Sequence, residues 1–126
     1  AADLIVSMEP MEALRYLPYL SPKGWIVTST LPFVNIDNYP DLEAVKAELQ
    51  MHGNVVAFDM EAVAKEVASA RSSNLVLLGA ASPFVDIPQD KIEKAIEGLF
   101  GRKGPQVVEA NIAAFRRGRE MALNTK

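Results

Sequence analysis

Apolar residues in this chain gather first into short runs separated by helical stripes, and beyond about residue 60 mostly into stripes spaced three and four apart. The pattern predicts strands alternating with helices, followed by a helical second half. Leu4-Ile5-Val6 is a continuous run with β-branched members, which suits a strand covered on both faces in a parallel or mixed sheet. Ser7 and Met8 close it. Pro10 fits a first helical turn, Glu9 and Glu12 put negative charge at that helix's positive end, and Met11, Leu14 and Tyr16–Leu17 recur at helical spacing until Pro18. Ser21-Pro22-Lys23-Gly24 has turn chemistry, and residues from Trp25 to Thr30 read as a second strand. Strand, helix and strand make a βαβ unit, normally right-handed with parallel strands.

Leu31 to Pro40 holds two prolines, two asparagines and an aspartate, and is expected to form a loop over the carboxyl edge of the sheet. Asp41 is placed to cap a helix to about Gln50 with Leu42, Val45 and Leu49 as its buried stripe. His52-Gly53-Asn54 ends that helix, and Val55 to Phe58 is a third strand. Asp59 then caps a helix whose inner face is Ala62, Val63, Glu66, Val67 and Ala70. Asn74 to Ser82 fits either a buried strand or a short, fully buried helix with a small-residue face and Asn74 as its cap, and the Gly-Ala-Ala tail favours the helix. After a Pro-bracketed link from Ser82 to Pro88, Ile92, Ala95, Ile96, Leu99 and Phe100 form the clearest stripe, with Lys91, Glu93, Lys94 and Glu97 on the solvated side. Gly101 stops it, Arg102 to Pro105 is a basic turn, and a last helix from about Gln106 to Met121 is expected to bury Val108, Ile112 and Phe115, with Asn111 at the stripe's edge.

Composition narrows the function classes. The 126 residues, 49% hydrophobic, are one domain's worth of chain and enough for a genuine core. A net charge of −3 gives no footprint for nucleic acid, and no apolar run approaches the roughly 20 residues of a membrane span. The absence of cysteine removes disulfides, thiolate zinc sites and iron–sulfur ligation, and points to the cytoplasm. The chain opens almost inside a strand, so an earlier segment is expected to be missing from it.

Catalytic motifs are sparse. Neither GxGxxG nor GxxxxGK[ST] occurs, so nucleotide binding by these residues alone is unsupported. The single histidine, His52, is read as an exposed helix-end residue without the neighbours for a metal or serine triad. Glu9 and Glu12 read as dipole partners before an acid pair, and Arg116, Arg117 and Arg119 as a solvated face near a helix C-terminus. No catalytic or metal-ligating residue is assigned.

The stretches EPMEALRYLPYL, SPKGWIVTST, NVVAFDMEAVAKE, SSNLVLLGAAS and KAIEGLFGRKGPQVVEANIAAFRRG together resemble the gamma-type domain of 2-oxoacid:ferredoxin oxidoreductases, and within it the small (beta) subunits of the indolepyruvate enzymes. Glu9 to Leu20, Asn74 to Ser82 and Glu109 to Phe115 are its specific parts. The glycine-rich GxGGQG strand-loop-helix at the front of such subunits is not in this sequence, so residues 1–126 are expected to be the C-terminal two-thirds of such a domain. The resemblance implies an α/β, Rossmann-like layered fold with a mixed, mostly parallel sheet and flanking helices, like domain III of pyruvate:ferredoxin oxidoreductase. It also implies conversion of an aryl pyruvate and coenzyme A to the aryl-acetyl thioester with reduction of ferredoxin, using thiamine diphosphate, magnesium and iron–sulfur clusters. Without cysteine, and without the Gly-Asp pair of a thiamine metal motif, those cofactors are expected on a large partner subunit. Glu9, Asn35, Asn38, Tyr39, Asn74 and Ser82, at element ends, are then the candidates for a substrate or coenzyme A pocket or for the subunit interface, each also able to serve as a cap or turn residue. Two other readings stay open: a free-standing small-ligand domain using Ser29, Thr30 and Asp59 at strand ends, and a pure interaction module.

Overall fold

The first strand, β1 (Ala2–Ser7), runs through a tight turn into α1 (Pro10–Arg15) and a single 3-10 turn at Leu17–Tyr19. The computed structural model describes residues 2–30 and 42–125, which fall into two compact units, Ala1–Asp59 and Met60–Thr125. The first unit continues with β2 (Leu20–Ser29), α2 (Leu42–His52) and β3 (Val55–Phe58). All three strands are parallel, in the order β1-β2-β3, as expected of an α/β layered fold. Ile5, Ile26 and Val55 stand in one row across the sheet and are closed over by Ala13 of α1 and by Val45 and Leu49 of α2. Each large aliphatic side chain so buried contributes roughly 1.5–3 kcal/mol.

Two strand expectations need correction. Val6 is 44% exposed, so β1 is not covered on both faces; it is an edge strand among the described residues, whereas Val27 and Val56, in the same row, are fully buried. The expected turn at Ser21–Gly24 lies inside β2. Ala2 pairs with Leu20 and Leu4 with Trp25, so β2 advances five residues where β1 advances two, and the Pro-Lys-Gly chemistry is accommodated as an irregular excursion within the strand. Residues at the end of α2 hold that excursion in place. His52 Nε2 lies 3.1 Å from the Gly24 carbonyl oxygen, and Asn54 Nδ2 donates to the Lys23 carbonyl at 3.5 Å. His52 is therefore half-buried and engaged, not an exposed helix end.

The second unit is helical: α3 (Met60–Val67), a 3-10 turn at Ala70–Ser72, α4 (Ser73–Ala81), α5 (Gln89–Phe100) and α6 (Pro105–Thr125). On α3 the inward residues are Met60, Val63 and Ala64, while Ala62, Glu66 and Val67 are exposed. The stripe expected from the sequence runs to Ala70, but the α-helix ends at Val67 and the stripe is set from Met60. Asn74 to Ser82 is helical as expected, with two amendments. Asn74 and Leu78 face solvent, so α4 is not buried all round, and Asn74 lies one residue inside the helix while Ser72 takes the cap position.

Backbones meet directly where α4 crosses α6. A Cβ on Gly79 would strike the Phe115 carbonyl oxygen, and one on Gly118 would strike that of Val76. On α6 the inner positions are Asn111, Ala114, Phe115, Gly118 and Ala122, so Asn111 sits within the stripe and Val108 and Ile112 at its margin. Of the α5 stripe only Ile96 is fully buried; Ala95 is exposed and Leu99 is 76% exposed. Glu93, expected in solvent, is instead turned inward by a paired contact with α6, its Oε1 2.6 Å from Arg116 Nη2 and its Oε2 3.1 Å from Arg116 Nε.

Candidate functional site

At the carboxyl end of β1 the chain reverses through Ser7-Met8-Glu9. Ser7 Oγ donates to the Glu9 carbonyl at 2.7 Å and accepts from the Glu9 N–H at 3.1 Å. Glu9 in turn caps α1, its carboxylate accepting from Met11 N at 3.1 Å and Glu12 N at 3.0 Å, and it is only 3% exposed. A carboxylate here serves an N-terminus whose N–H groups would otherwise lack partners. Across the same sheet edge, Ser29 is buried, and Thr30 donates its backbone N–H to the Phe58 carbonyl at 3.0 Å. Thr30, Lys46, Gln50 and Phe58 line a cavity of about 380 Å³. Asp59 follows β3 at the position preceding α3, where a cap belongs. Asn35, Asn38, Tyr39 and the cap expected at Asp41 lie outside the described residues.

The second unit holds a larger cavity, of about 490 Å³, and Asn74 lines it. Its walls come from the start of α4, the end of α5, and the start of α6. Leu75, Phe100, Val107 and Ala110 supply apolar surface, and Arg71, Lys103, Asn74 and Gln106 supply polar groups. Lys103 Nζ lies 5.8 Å from the centre of the Phe100 ring, within cation–π range. Behind these residues Ser72 and Asn111 are buried and bonded to each other, Ser72 Oγ donating to Asn111 Oδ1 at 3.0 Å, while Asn111 Nδ2 donates to the Val107 carbonyl at 3.1 Å. Ser72 consequently makes no side-chain cap for α4.

Charge at this cavity runs against the usual rule for helix ends. The first turns of α4 and α6 contain no acidic residue, yet Arg71 and Lys103 each stand two residues before one of those helices. Helix N-termini favour anions and disfavour cations. Among the described residues neither cation is ion-paired with a carboxylate. The sequence pattern by itself makes Arg71 a connection, Lys103 part of a basic turn and Asn111 a stripe edge. The signal available was the placement of two cations where acids normally precede helices.

Ser82 sits at the far end of α4, buried, its hydroxyl donating to the Gly79 carbonyl at 2.6 Å and accepting from Arg119 Nη1 at 2.9 Å. The three arginines of α6 are therefore not one solvated face. Arg116 binds Glu93, Arg117 pairs with Glu120 at 2.7 Å, and Arg119 reaches Ser82, all well before the helix ends at Thr125. The Arg116 guanidinium, hydrogen-bonded to Glu93, holds that carboxyl below its ordinary value, with Gln89 and the charge of Arg119 assisting and burial opposing. Among the described residues no three His, Asp or Glu side chains converge to hold a metal, and no helix is long and apolar enough to cross a membrane.

Comparison with known proteins gives a consistent result. The family model described as pyruvate ferredoxin/flavodoxin oxidoreductase matches residues 1–121. The indolepyruvate oxidoreductase subunit IorB of Pyrococcus horikoshii is 34% identical over 125 residues, covering 93% of this chain and 61% of the relative. The pyruvate synthase subunit PorC of Thermotoga maritima is 34% identical over 87 residues, covering 68% of this chain and 45% of that subunit. The chain thus spans about three fifths of the length of its IorB relatives. A solved structure of the 2-oxoglutarate:ferredoxin oxidoreductase from Magnetococcus marinus, with 2-oxoglutarate, coenzyme A and succinyl-CoA bound, aligns with a TM-score of 0.70 at 25% identity, covering 98% of this chain and 20% of that one.

Proposed function

The chain belongs to the pyruvate ferredoxin/flavodoxin oxidoreductase family, and from that premise we propose that it serves as part of the small subunit of a cytoplasmic 2-oxoacid:ferredoxin oxidoreductase acting on aryl pyruvates such as indolepyruvate. The observation that carries this reading is the identity with IorB along 93% of the chain. In this role the polypeptide packs against a large subunit that carries the catalytic cofactors. Thiamine diphosphate, magnesium and iron–sulfur clusters do not fit the residues here: there is no cysteine for a cluster, no Gly-Asp pair for a thiamine metal motif, and among the described residues no carboxylate or histidine group of three.

What this chain contributes is shape and fixed polar groups. Among the candidates within the described residues, Asn74 is exposed at a cavity and able to meet a ligand or a neighbouring subunit, whereas Glu9 and Ser82 act from within, by fixing the start of α1 and the end of α4. Asn35, Asn38 and Tyr39 lie outside the described residues and are candidates, from sequence, for a substrate or coenzyme A pocket or for the subunit interface; coenzyme A and the oxoacid are the small-molecule partners of the complex and ferredoxin its electron acceptor.

Affinity purification of the tagged full-length protein tests the proposal. The expected result is a complex with a larger cofactor-bearing subunit that reduces ferredoxin with an aryl pyruvate and coenzyme A. A stable monomer that turns over an oxoacid unaided would overturn it.

A further inference from the structure

We propose that α5, with the turn that follows it, is a detachable arm, released from α6 as one unit while α3, α4 and α6 stay packed together. A contrast in packing carries the inference. On α4 and α6, Val76, Ala80, Ala114 and Phe115 are fully buried, and the two backbones touch at Gly79 and Gly118. The α5 helix leans mainly on α6, and of its 12 residues Ile96 alone is fully buried among the described residues. Ala95, Gly98 and Leu99 are exposed. What fastens the helix is Ile96 as an apolar plug and a polar clamp one turn earlier, where Glu93 accepts two bonds from Arg116 and one from Gln89 Nε2 at 2.8 Å. The Arg116 side chain is 62% exposed, so water competes for the clamp and keeps it weak.

Both flanks suit release. Residues Val85 to Pro88, leading in, are exposed, and Pro88 gives α5 no side-chain cap. Gly104, leading out, has a φ of +106°, a conformation natural to glycine, so the arm joins α6 through a residue of wide backbone freedom. A helix of 12 residues without its partner is too short to keep its own backbone bonds, and an arm that detaches therefore also unwinds. Phe100 and Lys103 contact each other within the arm and leave together. Release thus takes away one wall of the cavity of about 490 Å³, while Arg71, Asn74 and the Ser72–Asn111 bond stay with the body.

Amide hydrogen exchange with fragment-resolved mass spectrometry, on the full-length protein in its native assembly, tests the proposal. The amides from Glu93 to Phe100 are expected to share one level of protection, at least about a hundredfold below that of Val76 to Ala81. Glu93→Gln is expected to lower it about two- to fivefold along the whole of α5. Val76→Ala, which weakens α4 against α6, is expected to lower protection of α4 about tenfold and to leave that of α5 unchanged. Circular dichroism establishes that both variants remain folded. Equal protection of α4 and α5, or a loss on α5 when Val76 is truncated, shows a single cooperative unit and overturns the proposal. So does protection graded from the ends of α5, with Glu93→Gln acting on its first turns alone, which is fraying. The arm lies wholly in the second unit and its release is read without turnover, so the result stands apart from the subunit role.

Discussion

Gly79 on α4 faces the carbonyl oxygen of Phe115 on α6 with no room for even a methyl group between them. Gly118 stands in the same relation to Val76, so each helix offers the other a glycine against a backbone carbonyl. Alanine at either position must push two packed backbones apart. Gly79→Ala and Gly118→Ala are each expected to cost at least about 1–3 kcal/mol, read as a lower denaturation midpoint in urea. Gly98, in α5 with open space around its Cα, is the control, and alanine there should leave stability unchanged or raise it by up to about 1 kcal/mol.

The buried Ser72–Asn111 pair couples the start of α4 to α6. Removing one partner leaves the other without its bond, so Asn111→Ala should cost about 1–3 kcal/mol and Ser72→Ala about 1 kcal/mol. The double variant should cost less than the sum. A double-mutant cycle by chemical denaturation measures the difference, and strict additivity would show that the bond contributes nothing.

Glu9 is expected to act on stability first. Glu9→Ala removes both acceptors of the α1 cap and should lower stability by about 1–2 kcal/mol in thermal unfolding. Glu9→Gln keeps one acceptor oxygen and should lose less.

Glu93 gives the unit a defined acid response. Its carboxyl titrates below the ordinary value of 4.5 because Arg116 bonds to the charged form. The folded state therefore binds this proton less readily than the unfolded chain does. The contribution is complete above pH 4.5 and disappears as the pH falls through the lowered value. Comparison of wild type with Glu93→Gln should show a gap of about 1 kcal/mol or less at pH 7 that closes in acid; a gap that persists at the lowest pH would assign the effect to packing instead.

The strands were legible because short apolar runs ended at recognisable breaks. Val55 to Phe58 matches β3 to the residue, whereas the strand expected from Trp25 to Thr30 starts five residues earlier, at Leu20, and ends one earlier, at Ser29. Helix existence was equally plain except at Asn74 to Ser82, where the apolar run suits a buried strand as well as the helix it forms. Helix orientation was not. On α5 the apolar spacing from Ile92 to Phe100 is wider than the face that is covered, so Leu99 stays exposed while the charged Glu93 turns inward to Arg116. On α6 a polar residue, Asn111, occupies the inner face because a serine from another helix satisfies it. Such pairings depend on residues 39 positions apart, which periodicity cannot report. The cavity was hidden for the same reason: Asn74 was flagged singly, and only folding sets it beside Arg71, Lys103 and Gln106.

The excursion in β2 divides its pairing with β1 into two parts of unequal strength. From Leu4–Trp25 to Ser7–Thr28 the rungs run without a break, whereas Ala2–Leu20 stands alone below the extra residues. A solitary rung gains nothing from neighbours on either side, so this end of the ribbon can come apart like an unfastened button while the cloth above it holds. The contacts from His52 to the Gly24 carbonyl and from Asn54 to the Lys23 carbonyl are what keep the loosening from travelling upward.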